Sequence, residues 1–335
     1  MASPLPLTLR LTTQRFPYKQ PFRISGHVFG HTSVLLAELS DGRHIGRGEG
    51  AGVYYLGDDI AHMAEAAEGA RIAIKRGAQR KDLQTILPPG GARNAIDCAF
   101  WDLEAKQQGT PVWQLAGLRQ PRPLLSTLTL GADAPDVMAK AAASLDPLAP
   151  IKLKLTGEAE LDAARLAAVR AARPDAWIGV DANQGYDSHS LPGLLLVLED
   201  NGIALLEQPL PRGNESDLAG LSRPLPFAAD ESALCLADTD ALCGLFDIVN
   251  IKLDKCGGLT EGLAIAKRAR ALGLGVMVGN MMGSSLSMAP SYLLGQLCDV
   301  VDLDGPTFLA QDRTPSVVYA QGRIHCADEI WGNPD

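Results

Sequence analysis

The stretch IKLKLTGEAELDAARLAAVRAARPDAWIGVDAN (151–183) decides the fold. It opens on an apolar run that carries Lys152 and Lys154, passes through an Ala/Leu-rich helical segment, and ends on a second apolar run closed by Asp181. The unit recurs downstream: ALLEQP closes on Glu207, PFAADES on Asp230, and NIKLDK carries Lys255. The charges stand 27 residues apart (154 to 181), then 26 (181 to 207), 23 (207 to 230) and 25 (230 to 255), a spacing that fits one strand plus one helix per step. Together LLSTLTL, IKLKL, WIGVDA, ALLEQ, PFAAD, IVNIKL, GVMVGN and VVDLDG make eight runs. Their doubly apolar character suits parallel strands covered on both faces. In a closed parallel barrel the C-terminal strand ends ring one pocket, so charges distant in the chain converge there.

Upstream the pattern changes. Leu5, Leu7, Leu9 and Leu11 alternate with Pro or polar residues, which reads as a strand and not as a signal peptide. Asp41-Gly42 between apolar alternations signals a hairpin, and apolar residues at three- and four-residue spacing predict helices over about 59–76 and 92–108. The expected fold class is α/β: a modified (β/α)8 TIM-type barrel of (β/α)7β form with an α+β capping domain. The expected division is a cap over 1–115, a catalytic barrel over 116–306 and a C-terminal segment, 307–335, that returns to the cap. GRGEGAG (46–52) follows a hairpin instead of joining a strand to a crossover helix, so it does not read as a nucleotide-binding loop.

A chain of 335 residues with 46% hydrophobic content can bury a large core and a smaller second one. A net charge of −9 without a long basic run argues against nucleic acid or an anionic membrane surface as partner, and no stretch approaches the roughly 20 apolar residues of a membrane span. The six scattered cysteines form no CxxC pair, which implies reduced thiols and a cytoplasmic location.

A lone Asp after a strand is ordinarily a helix cap or turn residue, and Asp230, followed by Glu231 and Ser232, fits that role best. Recurrence of carboxylates at three successive strand ends, Asp181, Glu207 and Asp230, points instead to a metal ion. Oxygen-only ligands favour Mg²⁺ over zinc. Lys152 and Lys154, two apart on a strand, project to one face while Leu153 and Leu155 take the other. Inside a pocket each ammonium would disfavour charging of its neighbour and lower its pKa from about 10.4 toward the range of a working base. Lys255, placed on the sixth strand, would face them from across the barrel.

The ordered series KLK (152–154), DAN (181–183), EQP (207–209), ADES (229–232), NIKLDKCGGLTE (250–261) and DLDGP (302–306) resembles the enolase superfamily, muconate-lactonizing subgroup, and within it the dipeptide epimerases, the Ala-Glu epimerases in particular. ILPPGGARNAIDCAFWDLEAKQQG (86–109) extends the resemblance into the connection between cap and barrel. What it implies is a two-base epimerase working through an enediolate at the α-carbon of the dipeptide's second residue. Asp181, Glu207 and Asp230 would ligate Mg²⁺. Lys154 and Lys255 would be the acid/base groups on opposite faces, and Lys152 would neutralise the substrate carboxylate. Asp302 and Asp304 would bind the dipeptide ammonium, with Thr127 a further substrate contact. The related alternatives are an N-acylamino acid racemase, which has no need of such a pair, and a cycloisomerase or lyase.

The resemblance also implies a cap-loop arginine that clamps a glutamate side chain. In PFRISGHVFGHT (21–32) the only arginine, Arg23, comes too early, which leaves His27 or Phe29 at the matching positions, with His31 as another contact. Phe29 would favour an apolar side chain. Gly283, where many relatives carry a bulkier or acidic residue, bears on pocket shape as well. The implied context is a cytoplasmic homo-oligomer in peptidoglycan peptide recycling.

Overall fold

The structure, a computed structural model, describes residues 6–24 and 27–334. Three antiparallel strands, β1 (Thr8–Ile24), β2 (His27–Ser40) and β3 (Ile45–Ala51), form the first sheet in that order. The hairpin falls where Asp41-Gly42 signals it: Asp41 Oδ1 accepts the amides of Arg43 and His44, and Gly42 takes a φ of 90°. Helix α1 (Ile60–Lys75) starts where Asp59 caps the amides of Ala61 and His62. Helix α2 (Gly91–Gln108) lies directly on β3. The glycines of GRGEGAG make that approach possible, since a Cβ on Gly48 would stand 2.1 Å from Ala95 O. The motif is a helix-docking surface.

Eight parallel strands follow: β4 (Leu128–Leu130), β5 (Ile151–Lys154), β6 (Ile178–Asp181), β7 (Leu205–Glu207), β8 (Phe227–Ala229), β9 (Ile248–Ile251), β10 (Gly275–Val278) and β11 (Val300–Val301), each beside its predecessor. Thr127 N donates to Val301 O at 3.0 Å and joins the first strand's approach to the last strand. The run LLSTLTL is split, because Leu124–Leu125 pairs outward with Arg323–His325 in a small separate sheet.

Helices α3 (Pro135–Ser144), α4 (Ala159–Ala172) and α5 (Leu191–Asp200) cover the early crossovers. The even strand-plus-helix rhythm then lapses. Between β7 and β8, and between β8 and β9, the described chain forms only 3₁₀ turns, Glu215–Leu218 and Leu236–Leu242. In the first of these connections Pro209, Pro211, Pro224 and Pro226 deny the backbone the donors a helix needs. After β9 come a one-turn helix α6 (Leu253–Cys256) and α7 (Leu259–Ala271), and after β10 comes α8 (Ser285–Gly295).

Two cores result. Leu35, Met63, Ile96 and Leu103 pack the cap, while Ile151, Val180, Leu206 and Phe227 belong to the barrel layer. The end of the chain lies on the cap side: Trp331 Nε1 donates to Arg47 O at 2.8 Å and Gly332 N to Asp102 Oδ1 at 2.9 Å. No helix among the described residues is long and apolar enough to cross a membrane.

Candidate active site

Alternation along β5 sends Ile151 and Leu153 into the core beneath the helices and turns Lys152 and Lys154 into the barrel. Parallel register then sets the charges side by side, Lys154 opposite Asp181 and Asp181 opposite Glu207. Asp230 follows the last residue of β8. The outcome is a trio of buried carboxylates, Asp181, Glu207 and Asp230, with one oxygen from each within 4.8 Å of the others. Non-glycine residues in left-handed backbone follow two of these strand ends: Gln208 at φ 36° and Asn183 at 44°. Gln208 is held there by its own side chain, whose Oε1 accepts the amides of Asp230 at 3.0 Å and Ser232 at 3.1 Å. Strained positions of this kind cluster where a fold fixes functional groups.

Four amines reach the trio. Lys154 Nζ stands 2.5 Å from Asp181 Oδ2, and Lys252 Nζ stands 2.5 Å from Asp230 Oδ2. Lys152 Nζ lies 2.7 Å from Glu207 Oε2 and 2.8 Å from Asp302 Oδ2. Lys255 Nζ lies 2.6 Å from both Asp230 Oδ1 and Asp230 O, and 3.0 Å from Asn250 O. Burial alone would depress Lys152, but Asp302, Glu207 and Asp181 outweigh it and hold the ammonium well above its usual range. The expected mutual lowering of the lysine pair is therefore not what governs Lys152: surrounding carboxylates decide. Lys252 is raised in the same way, burial being outweighed by Asp230 and Glu207. Lys255 is lowered, chiefly by burial.

Among the acids, burial and the neighbouring Asp181 lift Glu207 to about 7. Asp181 falls to about 2, because Lys154 and Lys152 overcome its burial. Burial and the adjacent Asp230 push Glu231 up to about 8.

This donor set fits a hard divalent cation. It is all oxygen and buried. Glu207 Oε2 meets the Lys152 ammonium at 2.7 Å, yet three buried carboxylates with one oxygen each inside 4.8 Å of the others make a spacing that suits a shared hard cation.

A cavity of about 510 Å³ opens over these groups. The barrel contributes Lys152, Lys154, Asp230, Glu231, Lys252, Asn280, Asp302 and Asp304, and the cap contributes Tyr18, Phe22, Phe29, His31, Tyr54 and Tyr55. Met281 and Met282 lie between them on the loop after β10. That loop is tied to the cap by Ser284, whose amide and hydroxyl donate to the buried Glu49 at 2.7 and 2.5 Å. A Cβ on Gly283 would fall 2.3 Å from Ser287 Oγ and 3.2 Å from Glu49 Oε1, which accounts for glycine at that position.

Residues 136–328 match the family Enolase C-terminal domain-like, and residues 7–117 match Mandelate racemase / muconate lactonizing enzyme, N-terminal domain. The chain belongs to the enolase superfamily. It is 36% identical to the L-Ala-D/L-Glu epimerase of Escherichia coli K12 over 318 residues, 95% of this chain and 99% of that one. A crystal structure from Agrobacterium tumefaciens superimposes with a TM-score of 0.93 at 38% identity, covering 98% of this chain and 100% of the other. It is described as an enolase family member with homology to dipeptide epimerases, with bound sodium and L-Ala-L-Glu. The dipeptide epimerase of Methylococcus capsulatus, complexed with Mg and L-Arg-D-Lys, superimposes with a TM-score of 0.89 at 29% identity, over 96% of this chain and 97% of that one.

In this enolase-superfamily chain the expected site residues divide. Lys152, Lys154, Asp230, Asp302, Asp304 and Phe29 line the cavity, with Asp181 and Glu207 fully buried beside it. Lys255 is a correction: β9 ends at Ile251, so the strand-end lysine is Lys252, and Lys255 sits one helical turn later, buried and away from the cavity wall. Lys252 was legible as the lysine that directly follows the apolar run IVNI. Thr127 stands behind Asp302, donating to its Oδ1 at 2.5 Å, and does not line the cavity. Asp302 and Asp304 lie just past the short β11, where Thr129 N donates to Asp304 Oδ2 at 2.6 Å. Burial and Asp302 raise Asp304 to about 7, whereas Lys152 and Thr127 hold Asp302 low against its burial. Phe29 meets the Tyr54 ring edge-on at 5.3 Å. The His27 side chain lies outside the described residues.

Proposed function

We propose that the chain is a Mg²⁺-dependent dipeptide epimerase that inverts the α-carbon of the second residue in L-Ala-L/D-Glu or a related dipeptide, with Lys154 and Lys252 as its two acid/base groups. The observation that carries the reading is the order of charges across adjacent strands: Lys154 on β5, Asp181, Glu207 and Asp230 at the ends of β6 to β8, Lys252 after β9. The amines stand at opposite ends of the carboxylate row, so a carboxylate substrate held over that row has one lysine toward each side of its α-carbon. The neutral amine of one takes the α-proton, the C–H electron pair moves into the carboxylate, and the ammonium of the other returns a proton from the opposite side. Lys152, charged by its neighbours, faces the oxygens where negative charge builds. Asp302 and Asp304 are the acceptors for the dipeptide ammonium.

When bound, Mg²⁺ at Asp181, Glu207 and Asp230 supplies positive charge that replaces the lysine partners of those carboxylates and polarises the substrate carboxylate. The unpaired cysteines and the Ala-Glu substrate class support a cytoplasmic place in the recycling of peptidoglycan peptides. The test is incubation with Mg²⁺ and L,L-dipeptide pools in D₂O, read by mass spectrometry. A one-dalton gain with appearance of the L,D-dipeptide is expected, and no gain in any pool overturns the reading.

A further inference from the structure

Resting on the epimerase reading, we infer that Asp254 is a positioning residue: it ties the turn that carries Lys252 to the cap, so that seating of the cap sets the aim of Lys252 and leaves that of Lys154 to the barrel alone.

Lys252 begins α6. Its backbone is extended, at φ −117° and ψ 124°, and its carbonyl accepts the amides of Lys255 at 2.9 Å and Cys256 at 3.1 Å. Whatever fixes this turn therefore fixes the Cα from which the Lys252 side chain runs to Asp230. A helix of four residues has little rigidity of its own, and the cap supplies what it lacks. Asp254 Oδ1 accepts from Ala51 N and from Asn94 Nδ2, both at 2.8 Å. Arg93 Nη2 donates to Cys256 O at 2.5 Å and pairs with Glu261. Past the turn, a Cβ on Gly257 would stand 2.2 Å from Arg93 Nε, and one on Gly258 2.5 Å from Asp97 Oδ2, so the backbone here is pressed against α2. Ala51, the last residue of β3, itself lines the cavity, as do Gly52, Tyr54 and Tyr55 after it. One hydrogen bond thus joins the cap wall of the cavity to the turn that begins at Lys252.

Among the described residues, Lys154 has no such tie. It lies within β5, paired with Asp181 of β6. The chain past it is held by Leu155 N donating to Asp181 O at 2.9 Å and by Asp162, which accepts from Thr156 N at 3.0 Å and Gly157 N at 2.9 Å. All of these partners belong to the barrel. Asp254 is also a poor residue for stability alone. It is 4% exposed, and burial lifts its carboxyl from 3.8 to about 6 against the hydrogen bonds of Ala51 and Asn94, with Glu49 and Asp58 adding to the rise. The lysines nearest in sequence, Lys252 and Lys255, both pair with Asp230 instead. A carboxylate buried on neutral donors costs folding free energy, and departures of this kind are expected where function places a residue.

The experiment reads each lysine separately, through α-proton exchange of the L,L and L,D epimers of Ala-Glu in D₂O with Mg²⁺, followed by NMR. Lys154→Ala leaves Lys252 as the base, Lys252→Ala leaves Lys154, and Asp254→Ala is added to each. A displacement on the order of 1 Å at a reacting group can cost about a hundredfold, so Asp254→Ala should slow exchange in the Lys154→Ala background by about tenfold to a hundredfold and alter it by less than about twofold in the Lys252→Ala background. Asp254→Asn, which keeps an acceptor for Ala51 and Asn94, should restore most of the Lys252-dependent exchange. Asn94→Ala, which leaves Asp254 on Ala51 alone, should show the same selectivity in smaller measure, and it decides the matter should Asp254→Ala fail to fold. A loss of equal size in both backgrounds, as a merely structural role would give, overturns the inference, and so does exchange unchanged in both. A wild type that exchanges both epimers while Lys154→Ala exchanges neither overturns the inference alone. A wild type that exchanges neither epimer removes the epimerase reading and this inference with it.

Discussion

Lys252 and Lys255 both belong to one short segment, NIKLDK, and only Leu253 and Asp254 separate a group in the cavity wall from one buried behind it. The sequence shows that a lysine belongs at this strand end; the first of the two directly follows the apolar run IVNI, and the ladder, which stops at Ile251, makes it the strand-end lysine. The carboxylates were readable because each closes its apolar run with no competitor of like charge at hand, Asp230 excepted, whose neighbour Glu231 also lines the cavity. The assignment is tested by exchange. Lys154→Ala and Lys252→Ala should each abolish epimerisation while retaining α-proton exchange with one of the two epimers, L,L or L,D, a different one in each variant, as followed by NMR in D₂O. Lys255→Met removes the donor that grips Asp230 through its carbonyl and Oδ1. It should weaken Mg²⁺ binding measured by calorimetry and reduce exchange of both epimers alike. Loss of a single epimer's exchange in Lys255→Met would return the catalytic role to that residue.

At the scale of elements, the barrel strands were legible because a parallel sheet covered on both faces demands doubly apolar runs, and all eight runs contribute strands to it. The crossovers were less so: even spacing suggested a helix in every step, yet the proline-rich segment after Glu207 closes its step with a 3₁₀ turn. In the cap, the meaning of GRGEGAG lay in a partner helix some 45 residues away, which spacing alone cannot show. Gly48→Val tests that docking. Its Cβ would meet Ala95 O and Ala99 N, backbone atoms that cannot turn aside, so the variant should lose at least about 2 kcal/mol of stability in denaturant melts. A melt within error of the wild type would show that α2 shifts freely on β3.

For the whole molecule, the cavity exists only while the cap stays seated on the barrel, and one buried acid on the seam links that seating to pH. Asp97 of α2 accepts from Thr260 N at 3.0 Å and Thr260 Oγ1 at 2.5 Å, at the start of α7. Burial raises it from 3.8 to about 6, with the Thr260 hydrogen bonds opposing only in part. The sign follows from proton binding. Between about pH 4 and pH 6 the folded chain holds the Asp97 proton more tightly than the unfolded chain does, so this group's contribution is fully present at low pH and is lost as pH rises through that window. Asp97→Asn keeps a neutral side chain with an acceptor for Thr260 and removes the titration. The stability of Asp97→Asn relative to the wild type should therefore increase from pH 4 to pH 7, by on the order of 2 kcal/mol, in paired thermal or urea melts. A difference that stays constant across that range would mean that Asp97 is as readily ionised at the seam as in the unfolded chain.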